Sequence, residues 1–462
     1  MAELYTNKSL LGRIANWSKL SESDRSRLLE RPAVSQSQDI GRRVASIVDD
    51  VRVGGDQALR KYTLELDGYS GDSLAVTEDE WERALTKVSA AEWAALKRAA
   101  DQIRRFHAAE MPQPLRVEVS PGIVCQRLWR PIERVGLYVP AGTAPLPSTL
   151  LMLAIPAELA GCSERIVVTP VGASGTPHPG ILAAARLAGV SAIFKVGGAQ
   201  AIAALAYGTS SVPKVDKIFG PGNAYVTCAK SLVSLDPRGA AADLPAGPSE
   251  VLVVADAKAD PNFIAADLLS QAEHGRDSQV VLVTTSESVA AATLGSLERQ
   301  LAKLNRREIA SESLAKSLII VVGSTDEALD VANAYAPEHL ILQIEDAARF
   351  VSKIKHAGSV FVGPWSPESV GDYASGTNHV LPTYGLARGH GGLSIESFMK
   401  SMTVQELSPG GLRDIGPTVE TLAVMEGLDA HAAAVSVRLS VLDSLDRLPS
   451  EQYATQRKGQ IP

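Results

Sequence analysis

Residues 250–285 read EVLVVADAKADPNFIAADLLSQAEHGRDSQVVLVTT, and this stretch decides the fold class. EVLVVA and QVVLVTT are short apolar runs without polar alternation, as expected of strands covered on both faces. Between them DPNFIAADLLSQAEHG predicts a helix. Asp260 is a natural N-cap, Pro261 fits the first helical position, and Gly275 is a natural stop. A strand, a helix and a second buried strand make a parallel unit, so the chain is read as α/β.

Working outward, the same alternation recurs. RVGLYV, RIVVTPV, AIFKVG and KIFG precede the opening stretch, and LIIVVG, HLILQI and SVFVG follow it, with Ala-rich helical runs between several of them. So many strands predict two sheets. Residues 20–110 are predicted helical, with capping chemistry in SESDRSRLLERP and helix-period apolar positions in TEDEWERALTKVSAAEWAALKRAADQIRRFHAAE. After residue 395 the strand pattern stops, and SIESFMKSM, IGPTVETLAVMEG and HAAAVSVRLSVLDSLDRL read as a helical tail. No repeat is apparent.

A chain of 462 residues is long enough for two or more units. With 45 basic and 52 acidic residues its net charge is −7, and it carries no Lys/Arg-rich run, which argues against a nucleic-acid surface. The three cysteines, Cys125, Cys162 and Cys228, are scattered with no CxxC, a pattern of a reducing compartment. MAELYTNKSLLGRIANWSKL lacks the apolar core of a signal peptide, and LLMLAIPAELAGC is too short and interrupted to span a bilayer. A cytoplasmic protein with no membrane or nucleic-acid partner is expected.

Several constellations carry chemistry. In QAEHG, Gln271 and His274 share a helix face, with Asp267 a turn earlier; alone, the pair reads as a polar helix end. KIFGPGNAYVTCAK runs strand, turn, helix, and its backbone N–H groups suit a phosphate or carboxylate. It falls short of the G-x-G-x-x-G fingerprint because Tyr225 takes the last glycine position, and a plain turn feeding a helix explains it equally well. YVPAGTAPLPST and LPAGPSEVLVVA are rigid, backbone-exposing loops beside strands.

In YAPEHLILQ, Glu338 and His339 stand side by side before a strand, offering two bases of different pKa. Neighbours on a strand point to opposite faces, so one pocket receives both only if the chain twists after Pro337. They also lie at the helix-to-strand end, opposite the usual site of a parallel sheet. VGDYASGTNHVLP supplies Asp372 and His379. MEGLDAH supplies Glu426 and His431, which share a face only if Gly427 bends the chain. The cysteines have no obvious base beside them and are read as inert.

Taken together, GLYVPAGTAPLPST, VGGAQAIAALAYGT, KIFGPGNAYVTCAK, PAGPSEVLVVAD, DLLSQAEHGRDSQ, PEHL, GDYASGTNHVLPTYG and EGLDAH, in this order, resemble the histidinol dehydrogenases from about residue 28 to about 445. The resemblance implies two incomplete Rossmann-like α/β domains with small terminal extensions in a domain-swapped homodimer. Residues 1–33 would form the N-terminal extension. Residues 34–137 with 251–393 would form the first domain, 138–250 the second, and 394–462 the tail that completes the partner's site. It further implies oxidation of L-histidinol to L-histidine through a bound aldehyde with two NAD+, the last step of histidine biosynthesis.

Carried over by motif, one Zn2+ per subunit would be held by Gln271, His274 and Asp372 with His431 of the partner subunit. These nitrogen and oxygen donors suit zinc. Ser249 and Glu426 would contact substrate beside the ligands and His339, while Tyr138, Gln200 and Asn223 would line the NAD+ site. His339 would take the alcohol proton and Glu338 would activate water.

Ala141 stands where glycine is expected, and Arg388–His390 depart from the family pattern. Two further readings are a zinc- and NAD-dependent oxidation of another small alcohol, such as a sulfonated diol, and a catalytically silent metal-binding or assembly protein. The second of these would be expected to lack a ligand or one of the base pair, and none is missing.

Overall fold

The computed structural model describes residues 13–31, 37–141, 144–190, 192–244 and 247–447. The first twelve positions, the greater part of the stretch on which the reading of the N-terminus rested, lie outside them. The chain forms two compact units: residues up to Met111 together with Pro131–Phe398, and Pro112–Arg130 together with residues from Met399.

The first unit contains two parallel sheets. One has six strands, ordered Arg13–Asn16, Leu318–Val321, Gln279–Thr284, Glu250–Ala255, His339–Gln343 and Ser359–Val362. The other has five, ordered Ala192–Phe194, Glu164–Val168, Arg134–Tyr138, Lys217–Phe219 and Ala241–Ala242. Numbered along the chain from Glu250 and from Arg134, the strands of both sheets follow the spatial order 3-2-1-4-5. Each sheet therefore reverses its winding once, between Glu250–Ala255 and His339–Gln343 in the first, and between Arg134–Tyr138 and Lys217–Phe219 in the second.

The opening stretch folds as its residues predict. Glu250–Ala255 and Gln279–Thr284 are buried at every position and pair in parallel. The helix between them, Pro261–Ala272, starts where the Asp260 side chain accepts from the Asn262 N–H. All nine predicted strands are present. Arg13–Asn16, Leu115–Ser120, Ile123–Pro131 and Ala241–Ala242 add to them.

Two boundaries differ from expectation. The expected first domain, 34–137 with 251–393, does not keep its two parts together in one core. The helix Ser37–Asp67 buries Val44, Ile47, Val51 and Leu59 in one core with Ile202, Leu205 and Ile218, on the five-stranded sheet, which also takes in Arg134–Tyr138. It is the N-terminal stretch before that helix that joins the six-stranded sheet, through Ala15, Trp17, Leu20 and Leu28. Strands also do not stop at residue 395. Met399–Leu407 is a strand beside Ile123–Pro131, which pairs antiparallel with Leu115–Ser120. The MKSMTVQEL run is mostly exposed, so it carries none of the buried-strand signature.

The second unit is this three-stranded sheet with the helices Pro409–Met425 and Asp429–Asp446. Gly427, at φ 71°, makes the break between the helices that MEGLDAH required.

Candidate functional site

In the first unit a cavity of about 110 Å3 is lined by Gln271, His274, Glu338, His339, Asp372 and Ser249, with Gly247, Tyr373, His379 and Thr383. Val380 and Leu381 also line it, as do Leu146, Ser148, Thr149 and Pro221. Those last residues follow strands Arg134–Tyr138 and Lys217–Phe219, whereas Ser249 and Glu338 immediately precede strands Glu250–Ala255 and His339–Gln343. The cavity thus lies where the carboxyl end of one sheet faces the amino end of the other. This accounts for a reactive pair at the helix-to-strand end: the five-stranded sheet presents its usual binding edge, and the six-stranded sheet presents the opposite one.

Glu338 and His339 reach one cavity because both are tied to Glu250. The Glu250 N–H donates to Glu338 Oε2 at 2.8 Å. His339 Nδ1 lies 3.0 Å from the Glu250 carbonyl, which can only accept, so that nitrogen carries the proton. In the neutral imidazole the lone pair therefore falls on His339 Nε2, which lies 3.5 Å from Asp372 Oδ1 with no closer partner among the described residues. The chain twists before this pair at Ala336, whose φ of 54° is rare for a residue with a side chain. Arg31 holds the twist, donating to the Tyr335 and Ala336 carbonyls and gripping Glu250 through Nε at 2.5 Å and Nη2 at 2.9 Å. Arg388, one of the departures, donates to the Asn333 and Ala334 carbonyls at the same helix end. His390 is exposed, and Ala141, the other departure, is not among the described residues with positive φ.

Gln271 and His274 stand at the end of helix Pro261–Ala272 and Asp372 on the short helix Glu368–Tyr373. His274 Nε2 is 3.9 Å from Asp372 Oδ2. Donor atoms of His274, Asp372 and Glu368 all fall within 4.8 Å of one another. Glu368 is fully buried and was not anticipated. An acid just after a proline reads as ordinary helix-start chemistry, and only its burial marks it out. His379 also joins the site, donating from Nδ1 to the Asp372 carbonyl at 3.0 Å, with Nε2 2.9 Å from the Thr149 hydroxyl.

Burial and the site's histidines set its electrostatics. Burial pushes Glu338 up to about 8 and Asp267 up to about 6, and it raises Glu368 well above the carboxylate range. Burial would lower His339, but the charges of Glu338, Glu368 and Asp372 outweigh it and hold the imidazole up to about 10. Burial would raise Asp372, but His339, His379 and His274 bring it below its usual value. Among the described residues no Lys or Arg pairs with these acids, and the ion-pair partners of Glu338 and Asp372 are histidines. Buried carboxylates ionise together only against positive charge. Nitrogen and oxygen donors around such a cluster fit a divalent metal, and its charge would relieve the field that keeps His339 protonated.

Tyr138 ends its strand with its hydroxyl accepting from the Gly198 N–H at 3.2 Å, and Gln200 lies in the first turn of helix Gly198–Tyr207. Gln200 Oε1 is buried with no partner among the described residues, the sort of orphan a ligand satisfies. Asn223 caps helix Ala224–Leu235, accepting from the Tyr225 and Val226 N–H groups. All three stand at the carboxyl end of the five-stranded sheet. Glu426 and His431 belong to the second unit and are exposed there, on either side of Gly427.

The family model described as histidinol dehydrogenase matches residues 29–439. The histidinol dehydrogenase of Vibrio parahaemolyticus is 52% identical over 426 residues, 92% of this chain and 98% of its own length. That of Aliivibrio fischeri is 50% identical over 430 residues, covering 93% and 97%. This chain belongs to the histidinol dehydrogenase family. The crystal structure of histidinol dehydrogenase from Elizabethkingia anophelis superposes with a TM-score of 0.90 at 46% identity, covering 95% of this chain and all of that one. The family's members are NAD-dependent oxidoreductases of histidine biosynthesis, so the cavity described above is a dehydrogenase active-site candidate. Among the described residues no helix is long and apolar enough to cross a membrane.

Proposed function

We propose that the chain converts L-histidinol to L-histidine in two successive two-electron oxidations at the Glu338–His339 cavity, holding the aldehyde between them. The observation that supports this most is the joint anchoring of both side chains to the peptide groups of Glu250. NAD+ supplies the hydride acceptor and Zn2+ a Lewis-acid anchor for the substrate. Gln271, His274 and Asp372 would hold the metal with His431 of the partner subunit. Tyr138, Gln200 and Asn223 would hold NAD+ at the point where the five-stranded sheet reverses its winding. On this reading both sheets are incomplete Rossmann-like units, the second unit of the chain is exchanged within a homodimer, and the enzyme is cytoplasmic, in keeping with three free thiols.

The chain's own residues act as follows. His339 Nε2 accepts the hydroxyl proton as the C–H bond breaks and hydride leaves. Glu338, kept basic by burial, takes a proton from water as its oxygen adds to the aldehyde carbon, and His339 returns its first proton to the carbonyl oxygen, which frees it to act again. The resulting hydrate gives its hydroxyl proton to His339 as the second hydride leaves, and the carboxylic acid forms. Ser249, with Glu426 of the partner subunit, would bind the substrate's polar groups.

Another small alcohol, such as a sulfonated diol, would keep the metal and base residues but change the substrate contacts. Close similarity to histidinol dehydrogenases over nearly the whole chain favours histidinol. The test is NADH formed from a limiting, known amount of L-histidinol, before and after chelation and zinc return. Two NADH per histidinol, lost on chelation and restored by zinc, is the expected result. No NADH from histidinol, with turnover of another alcohol, overturns the substrate assignment.

A further inference from the structure

Gln271 contributes an amide, and an amide is two-faced. Its oxygen can bind a metal, whereas its NH2 group cannot. The two ends are nearly equal in size, so sterics alone do not choose between them. Something must fix the rotation, and the neighbours of Gln271 show what does. With its nitrogen turned inward, Gln271 donates to Glu368 Oε1 at 2.9 Å and lies 3.2 Å from Oε2. Against an ionised Glu368, the opposite rotation sets an amide oxygen against both carboxylate oxygens. His339 Nδ1 is also near, but it already carries a proton for the Glu250 carbonyl and offers no lone pair.

Glu368 has no exposure to solvent, and no Lys or Arg pairs with it among the described residues. Burying an acid in this way is costly unless it has a task. It stands at the start of the helix that carries Asp372, so one short element presents both a ligand and the group facing another ligand.

We propose that Glu368 is a positioning residue that accepts a hydrogen bond from the Gln271 amide N–H and thereby turns Gln271 Oε1 toward the metal. The proposal rests on the metal reading above. Outer-shell partners of this kind are typically worth about 10–100-fold in metal affinity.

The test is zinc affinity of the purified dimer by competition with a chromogenic chelator, a readout independent of turnover, with the unfolding midpoint of each zinc-free variant measured alongside. Glu368→Leu should weaken zinc by about 10–100-fold. Glu368→Gln, which can still offer an oxygen to the amide, should keep most of the affinity. Glu368→Leu combined with Gln271→Glu should regain most of what Leu alone loses, because a carboxylate presents oxygen on either side and needs no orienting. If Glu368→Gln loses as much as Glu368→Leu, or the double variant is not rescued, Glu368 is itself a ligand or only a packing residue and the positioning role is overturned. If the unaltered protein binds no zinc, the metal reading fails first and the positioning role with it.

Discussion

His339 gives its Nδ1 proton to the carbonyl of Glu250 at 3.0 Å, while the N–H of that residue donates to Glu338. One peptide residue on the neighbouring strand thus sets the tautomer of one base and the aim of the other. On the proposed mechanism this bond leaves His339 Nε2 as the proton acceptor for both oxidations. His339→Asn should therefore depress both by about 10²–10⁴-fold. Glu338→Gln should spare NADH formation from histidinol in a single turnover while slowing acid formation from supplied aldehyde. Normal rates of the second half-reaction in the Gln variant would refute this division of labour.

The grip on Glu250 comes from Arg31, which contacts both carboxylate oxygens, lies over the Tyr335 ring at 4.0 Å and is only 13% exposed. Removing one member of a buried, bidentate pair strands the other's charge. Arg31→Met should cost about 3–5 kcal/mol in urea unfolding. Arg31→Met with Glu250→Met should cost clearly less than the sum of the single changes, since no charge is left unpaired. Additive losses would show that the pair does not act as a unit.

Aldehyde oxidation can proceed through a thiol, and the cysteines test whether it does here. Cys162 is 1% exposed and burial pushes its thiol up to about 11, while Cys125 and Cys228 lie outside the cavity lining. The triple variant Cys125→Ser, Cys162→Ala, Cys228→Ser should keep both half-reactions within about threefold, at a stability cost of about 1 kcal/mol per buried change. Loss of the second half-reaction alone would reinstate a thiol intermediate.

Different parts of the fold were legible to different degrees, and the reasons are physical. The nine predicted strands announce themselves because most of their positions are covered and their apolar runs are short and β-branched. Met399–Leu407 stays silent because it is exposed on both faces, with Lys400 on one and Ser401 and Thr403 on the other. Sheet order is a matter of long-range pairing, so nothing local tells that Ser37–Asp67 packs on the five-stranded sheet. Within the site, Gln271, His274, Glu338, His339 and Asp372 were found by motif, and all line one cavity. Glu368 and Arg31 were missed because each works by contact with residues far along the chain, and their surroundings in sequence are ordinary.

The second unit leaves Leu422, Val424, Met425, Leu428, Val437 and Val441 exposed, a larger apolar surface than a solitary helical pair is expected to show to water. That suits a face covered by a second copy, with His431 and Glu426 at the turn between the helices. If the turn completes the site of the other subunit, two inactive variants should rescue one another. His339→Asn and His431→Ala are each expected to be nearly inactive as homodimers. In a mixed dimer, one site carries both defects and the other carries neither. Co-refolding the two at equal concentration should therefore restore about a quarter of the unaltered activity, with half the dimers mixed and one good site in each. If His431 served its own subunit, every site in the mixture would keep one defect and no activity would return.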